Sequence, residues 1–244
     1  MNMADSPEGY DAFLRERRAQ IMGRIADAAR RSGRSAGDVA TLAVSKTVGP
    51  DEVFRAWQAG WRAFGENRPQ ELKRKLAGVA AHPEMASVRF DMIGNLQTNK
   101  INQVIGNVAL IHSVSSEHLA SSISKRARAR GLTCDVLLEV NVSGEQSKGG
   151  FSPDEVTAAM DALMSLEGIA ICGLMTMAPA HQPDRARRTF SGLRELAERL
   201  RGETGLALDV LSCGMSDDFP IAIEEGSTLV RLGRVVFSDG YRLG

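Results

Sequence analysis

Eight short apolar runs recur along the chain. They lie near Thr41–Ser45, Ala63–Phe64, Phe90–Ile93, Ala109–His112, Asp135–Val142, Ile169–Met175, Leu208–Leu211 and Leu229–Leu232. Longer stretches with helical periodicity separate most of them. Such alternation predicts a parallel sheet covered by helices, because a parallel crossover needs a dozen or more residues and a helix fills that length. Eight strands can close on themselves, which removes both sheet edges. The expected fold class is therefore α/β, a (β/α)8 TIM-type barrel. An open doubly wound sheet is the alternative, but no Gly-rich dinucleotide fingerprint follows the first strand. At 244 residues the chain suits one barrel domain over 1–244. An amphipathic helix over about 10–32, with Phe13, Ile21, Ile25, Ala28 and Ala29 on one face, precedes the first strand. Residues 1–9 read as a mobile tail.

Helix starts are well marked. Pro50 follows Gly49 and precedes Asp51 and Glu52. Ser152-Pro153-Asp154-Glu155 carries a capping serine, proline at the first helical position and glutamate at the third. Pro183 opens a helix through Leu200.

Thirty Lys plus Arg balance thirty Asp plus Glu. No basic field exists to hold nucleic acid or an anionic membrane. No apolar run approaches the roughly 18 residues of a spanning helix, and the first residues lack a signal core. The expected location is the cytoplasm. Cys134, Cys172 and Cys213 are far apart and not in metal-type spacing, which argues against a disulfide framework or a zinc site.

In a parallel barrel, chemistry sits where strands end and loops begin. Lys46 closes the first run. It reads either as a rim lysine paired to a carboxylate, or as an amine made nucleophilic by burial and nearby cations. In SCGMSDDFP, Gly214 allows a close turn and Ser216 is placed to cap a helix beginning near Asp217-Asp218. With free N–H groups this reads either as a phosphate nest, whose two aspartates must then face away or bind something else, or as an ordinary helix cap with acidic first-turn residues. Arg231, followed by Gly233, is unusual on a strand. It reads as a rim arginine paired to a glutamate, or as a guanidinium held against a ligand with Gly233 permitting close approach. His112 ends a strand and reads as a hydrogen-bonded structural residue. Lys148, in the GEQSKGG loop, reads as a loop cation or as a second aldehyde-accepting amine.

Seven motifs in order, LAVSKTVGP, FGENRPQEL, IGNLQTNK, HSV, LLEVNVSGEQSKGGF, GLMTMAP and LSCGMSDDFPIAIEEGSTLVRLG, cover residues 40–237. Across that span the chain resembles the pyridoxal phosphate homeostasis proteins, single-domain relatives of the alanine racemase N-terminal barrel without the C-terminal β domain. The resemblance implies pyridoxal 5′-phosphate bound as an aldimine on Lys46. It implies Arg231 facing the pyridine nitrogen and Asn67 beside the ring. It puts the phosphate on Ser216, with Gly214 and Met215 of the same GMS segment, and on backbone around Gly233 and Arg234. The family usually has threonine where Arg234 stands.

The implied function is a carrier or buffer in cofactor homeostasis, delivering to apo-enzymes that use the cofactor. The alternative is an amino-acid racemase, which needs a base on each face of the substrate's α-carbon. Only Tyr10 and Tyr241 are available as a tyrosine base, and both lie outside the motifs. A monomer is expected, because the racemase dimer depends on the domain not seen here.

Overall fold

In a computed structural model, which describes residues 6–145 and 148–243, eight parallel strands close into a barrel. They are β1 (Ala40–Val44), β2 (Ala63–Glu66), β3 (Arg89–Met92), β4 (Leu110–Val114), β5 (Cys134–Glu139), β6 (Ile169–Met175), β7 (Val210–Ser212) and β8 (Leu229–Leu232). Each pairs with its sequence neighbour, and β8 returns to β1 with Ala40 opposite Leu229 and Ala43 opposite Leu232.

The helices are α1 (Pro7–Arg31), α2 (Pro50–Gln58), α3 (Pro69–Ala80), α4 (Glu117–Ala129), α5 (Pro153–Met164), α6 (Pro183–Thr204), α7 (Phe219–Glu224) and α8 (Arg234–Phe237). A single 3₁₀ helix, Thr98–Gln103, takes the place of an α-helix between β3 and β4. The expected cap of α5 forms, with Glu155 N donating to Ser152 Oγ and Ser152 N donating to Glu155 Oε2. α1 begins at Pro7, capped by Ser6, so residues 6–9, expected within a mobile tail, belong to the helix and its cap. Residues 1–5 lie outside the described residues.

Strand alternation divides the core. Leu42, Leu110, Leu137, Met175 and Leu229 fill the barrel interior. Ala43, Phe64, Phe90 and Val230 face outward and pack under α1, α2 and α3. Leu229 shares parity with Arg231, which therefore belongs to the interior face, whereas Lys46 lies two residues past the end of β1, in a turn.

α1 braces the corner where the barrel closes. It buries Leu14, Ile21, Ile25, Ala28 and Ala29 against that corner. Arg17 donates to Val235 O, and Arg34, just past the helix, donates to Ile223 O and Ser227 O. These bonds tie the N-terminal helix to the segments that follow β7 and β8. No helix among the described residues is long and apolar enough to cross a membrane.

Candidate functional site

The strand ends converge at one mouth. On one side of β1, Ser45 N donates to Gly65 O of β2, two residues before Asn67. On the other side, a methyl group added at Gly233 would lie 3.4 Å from Val44 Cβ. Lys46 thus stands between the Asn67 loop and the Gly233–Arg234 segment. It is exposed, and its amine makes no hydrogen bond or ion pair among the described residues. The rim pairing expected from the sequence is not seen, since no carboxylate among the described residues pairs with Lys46, and the burial expected in the other reading is not seen either.

Beside it, the loop after β7 and the start of α8 lock together. Arg231 N donates to Gly214 O, and Val235 N donates to Ser216 Oγ at 3.2 Å. Gly214 has φ +91, and a Cβ there would lie 2.6 Å from the Ala222 methyl, so only glycine fits. The expectation that Ser216 caps the following helix is corrected. α7 starts at Phe219 with Asp218 before it and no side-chain cap, and Ser216 serves α8 instead. The backbone N–H groups of Ser216, Asp217, Gly233 and Arg234 find no partner among the described residues. Several N–H groups of one loop region are therefore free to meet an anion. Met215 is exposed on the same loop.

Both aspartates are turned to other work. Asp218 accepts from Met215 N at 2.6 Å and tightens the loop. Its burial raises its pKa, against the lowering effect of that hydrogen bond. Asp217 accepts from Tyr241 Oη at 2.8 Å and pairs with Arg234. The Arg234 guanidinium also lies over the Tyr241 ring, so its charge is taken up by Asp217 and Tyr241. Tyr241 also lies within hydrogen-bond range of Ser216 O at 2.8 Å. Burial and Asp217 push its hydroxyl up to about 12. Nothing in the local sequence of Tyr241 signals this contact.

Arg231 is buried, with 5% of its surface exposed, and no carboxylate pairs with it among the described residues. Nη1 donates to Ser212 O at 2.7 Å and Ser212 Oγ at 2.6 Å, and Nη2 donates to Thr176 O at 3.0 Å. Its remaining two N–H donors have no protein partner among the described residues. A buried guanidinium held only by neutral oxygens is unusual, because such a charge is costly without a counter-group. Burial lowers its pKa, and Glu139 and Asp218 oppose that fall. Glu139, at the inward end of β5, is a residue that the sequence reading passes over. Its carboxyl makes no hydrogen bond among the described residues, and burial raises its pKa.

Two further buried clusters lie away from the mouth, the first around His112, read from the sequence as a hydrogen-bonded structural residue. Beneath Arg231, Ser212 Oγ lies 2.9 Å from His112 Nδ1, and His112 Nε2 lies 3.0 Å from Asp91. Arg89 donates to both Asp91 oxygens at 2.7 and 2.8 Å. Since Arg231 donates to Ser212 Oγ, that hydroxyl is free to give its proton to Nδ1, and Nε2–H then faces the carboxylate. Burial pulls the His112 pKa down, and Asp91 opposes this less strongly. The imidazole is thus a neutral link in a chain running through the barrel. On the helix side of β1, Lys75 Nζ donates to Glu66 Oε1 at 2.9 Å and Ser45 O at 3.0 Å. Ser45 Oγ donates to the same Glu66 oxygen at 2.6 Å. All three residues are fully buried, and Glu66 Oε2 has no partner among the described residues.

Lys148 donates to Met177 O at 3.0 Å and pairs with Glu145 at 2.6 Å. Cys213 is buried, and burial pushes its thiol up to about 11. No cluster of three or more metal-type side chains occurs among the described residues.

Comparison with known proteins decides the family. The family model of the alanine racemase N-terminal domain matches residues 21–240. A pyridoxal phosphate homeostasis protein from Aquifex aeolicus is 39% identical over 225 residues, 92% of this chain and 97% of that one. The chain belongs to the pyridoxal phosphate homeostasis proteins. A second member, from Pseudomonas aeruginosa, is 38% identical over 226 residues, 92% of this chain and 94% of its own length. The structure of another relative, PipY of Synechococcus elongatus with PLP bound, superposes with a TM-score of 0.80. It is 31% identical, over 92% of this chain and all of that one. The resemblance read from the seven motifs and the barrel expected from the eight apolar runs both stand.

Proposed function

We propose that this protein binds pyridoxal 5′-phosphate at the barrel mouth and acts as its carrier or buffer. The observation that carries the reading is Arg231: a buried guanidinium with no carboxylate partner and two unused N–H donors among the described residues. It stands next to a loop with several free N–H groups. A heteroaromatic phosphate ester supplies what both lack, a ring nitrogen lone pair for the arginine and an anion for the loop. The residues fit the group.

When bound, the cofactor supplies an aldehyde able to condense with an amine. Lys46 is the amine at hand, and its exposure leaves that bond open to water and to competing amines. For a carrier this is an asset, because the cofactor must leave as well as arrive. Ser216, Met215 and Gly214, with the backbone of Gly233 and Arg234, would hold the phosphate. Asn67 would flank the ring. Arg231, which can only donate, would face the ring nitrogen and keep it unprotonated, so the cofactor would be a weaker electron sink there.

The reading as carrier also draws on the two tyrosines. Tyr241 Oη is engaged by Ser216 O and Asp217, and Tyr10 Oη donates to Phe237 O at 3.4 Å. Neither stands ready as a second base for racemisation. Delivery to apo-enzymes, action as a monomer and a place in the cytoplasm complete the proposal.

The test is saturation with pyridoxal 5′-phosphate, borohydride reduction and peptide mass mapping. A yellow protein that becomes labelled at Lys46 is expected. A colourless, unlabelled protein would overturn the proposal, as would a Lys46→Ala variant labelled to the same extent.

A further inference from the structure

A second cleft opens beside the mouth, between the loops that follow β2 and β3. Its volume is about 410 Å³. Six polar side chains line it: Asn67, Arg68 and Gln70 on one wall, Asn95, Gln97 and Lys100 on the other. Two are cations, four are carboxamides, and no carboxylate is among the lining residues. None of the six side chains makes a hydrogen bond or ion pair among the described residues.

Several surface arginines, among them Arg31, Arg55, Arg128 and Arg187, reach carboxylates, as the two cations of the cleft do not. On α3, Glu71 is paired with Arg74 at 2.8 Å and is not among the lining residues. In a chain of zero formal net charge, two unpaired cations sharing one concavity form a local positive site. Arg68 precedes the 12-residue helix α3 without giving it a side-chain cap, so the positive end of that helix adds to the field.

The shape is fixed by Gly94. A Cβ there would lie 2.3 Å from Asn67 O and 2.7 Å from Asn67 Cα, so the two loops touch backbone to backbone at the base of the cleft.

We infer that this cleft binds a small hydrophilic polyanion, carrying carboxylate or phosphate groups. Arg68 and Lys100 take the charges, and the carboxamides of Gln70, Asn95 and Gln97 take its remaining polar atoms. The size suits a metabolite, and Pro69 is the one apolar side chain in the lining, which disfavours aromatic or lipid ligands. Asn67 borders both this cleft and the barrel mouth, but the inference does not depend on what the mouth binds.

Calorimetry with succinate and with glycerol 3-phosphate, at low and at physiological salt, tests it. At least one probe should bind saturably and weaken with salt, and which one binds tells dicarboxylate from phosphate ester. The double variant R68Q/K100Q should bind at least tenfold more weakly while melting at the wild-type temperature, since neither residue is in the core. The charge-keeping variant R68K/K100R should retain most of the affinity. The inference is overturned if neither probe saturates, or if R68Q/K100Q binds as tightly as wild type. Binding that is lost in Ser216→Ala and kept in R68Q/K100Q overturns it too, by placing the anion in the mouth.

Discussion

Replacing Lys75 by methionine tests how the barrel wall behind Lys46 is held. Lys75 and Glu66 have no solvent exposure, and their 2.9 Å contact is supported by Ser45 from both its carbonyl and its hydroxyl. Methionine matches the lysine stem in volume, so little cavity forms. The loss is electrostatic. Glu66 would keep one hydrogen bond, from Ser45, with both oxygens out of water and Oε2 already without a partner. Removing one member of a buried pair typically costs about 3–5 kcal/mol, because the survivor is left uncompensated. For a chain of this size each kcal/mol lowers the melting temperature by roughly 2–4 °C, so a fall of roughly 6–20 °C is expected. The double variant K75M/E66L removes both charges and should recover most of that loss. Thermal unfolding followed by circular dichroism, with urea titration as a check, measures both. A single variant within about 1 kcal/mol of wild type would refute the reasoning, since surface pairs contribute no more than that. A double variant less stable than K75M would refute it as well.

Two further expectations follow from the buried titratable groups. The His112 pKa is depressed by burial, so below its ordinary value near 6.5 the unfolded chain binds the proton more readily than the folded one. Stability should therefore fall as pH drops from about 7 toward 5, and His112→Gln should flatten that part of the curve; an unchanged slope would remove His112 from the account. Cys213, buried and with its thiol near 11, should resist iodoacetamide at pH 8 in the folded protein and react fully in denaturant. Equal rates in the two states would contradict its burial.

The barrel was legible because parallel strands covered on both faces leave continuous apolar runs, and eight of them stand in the sequence. Boundaries were less legible where backbone geometry intervened. The seventh run begins at Leu208, but that residue sits at φ +44, so β7 starts only at Val210. The fifth run continues to Val142, but the strand ends at Glu139, and Val140 forms only an isolated bridge to Phe151. Ser216 looked like the cap of the helix next to it because Ser-Asp-Asp is a local cap pattern. Its actual partner lies 19 residues on, and nothing local announces that. Lys75 did leave a signal. It shares an apolar stripe with Leu72, Leu76 and Val79 on α3, where a charged residue must find a buried partner. The chain of contacts from Arg89 to Arg231 joins four strands, and its pairings follow from barrel closure rather than from any spacing in the sequence.

The way Arg231 is gripped bears on selectivity. Three acceptors already hold the guanidinium, so a ligand meeting it as proposed would find no rotamer freedom left to surrender. Its unused N–H groups point from a fixed frame. A molecule lacking a lone pair at the matching place leaves them dry, and discrimination of that kind is far steeper than an apolar pocket achieves against one missing methylene.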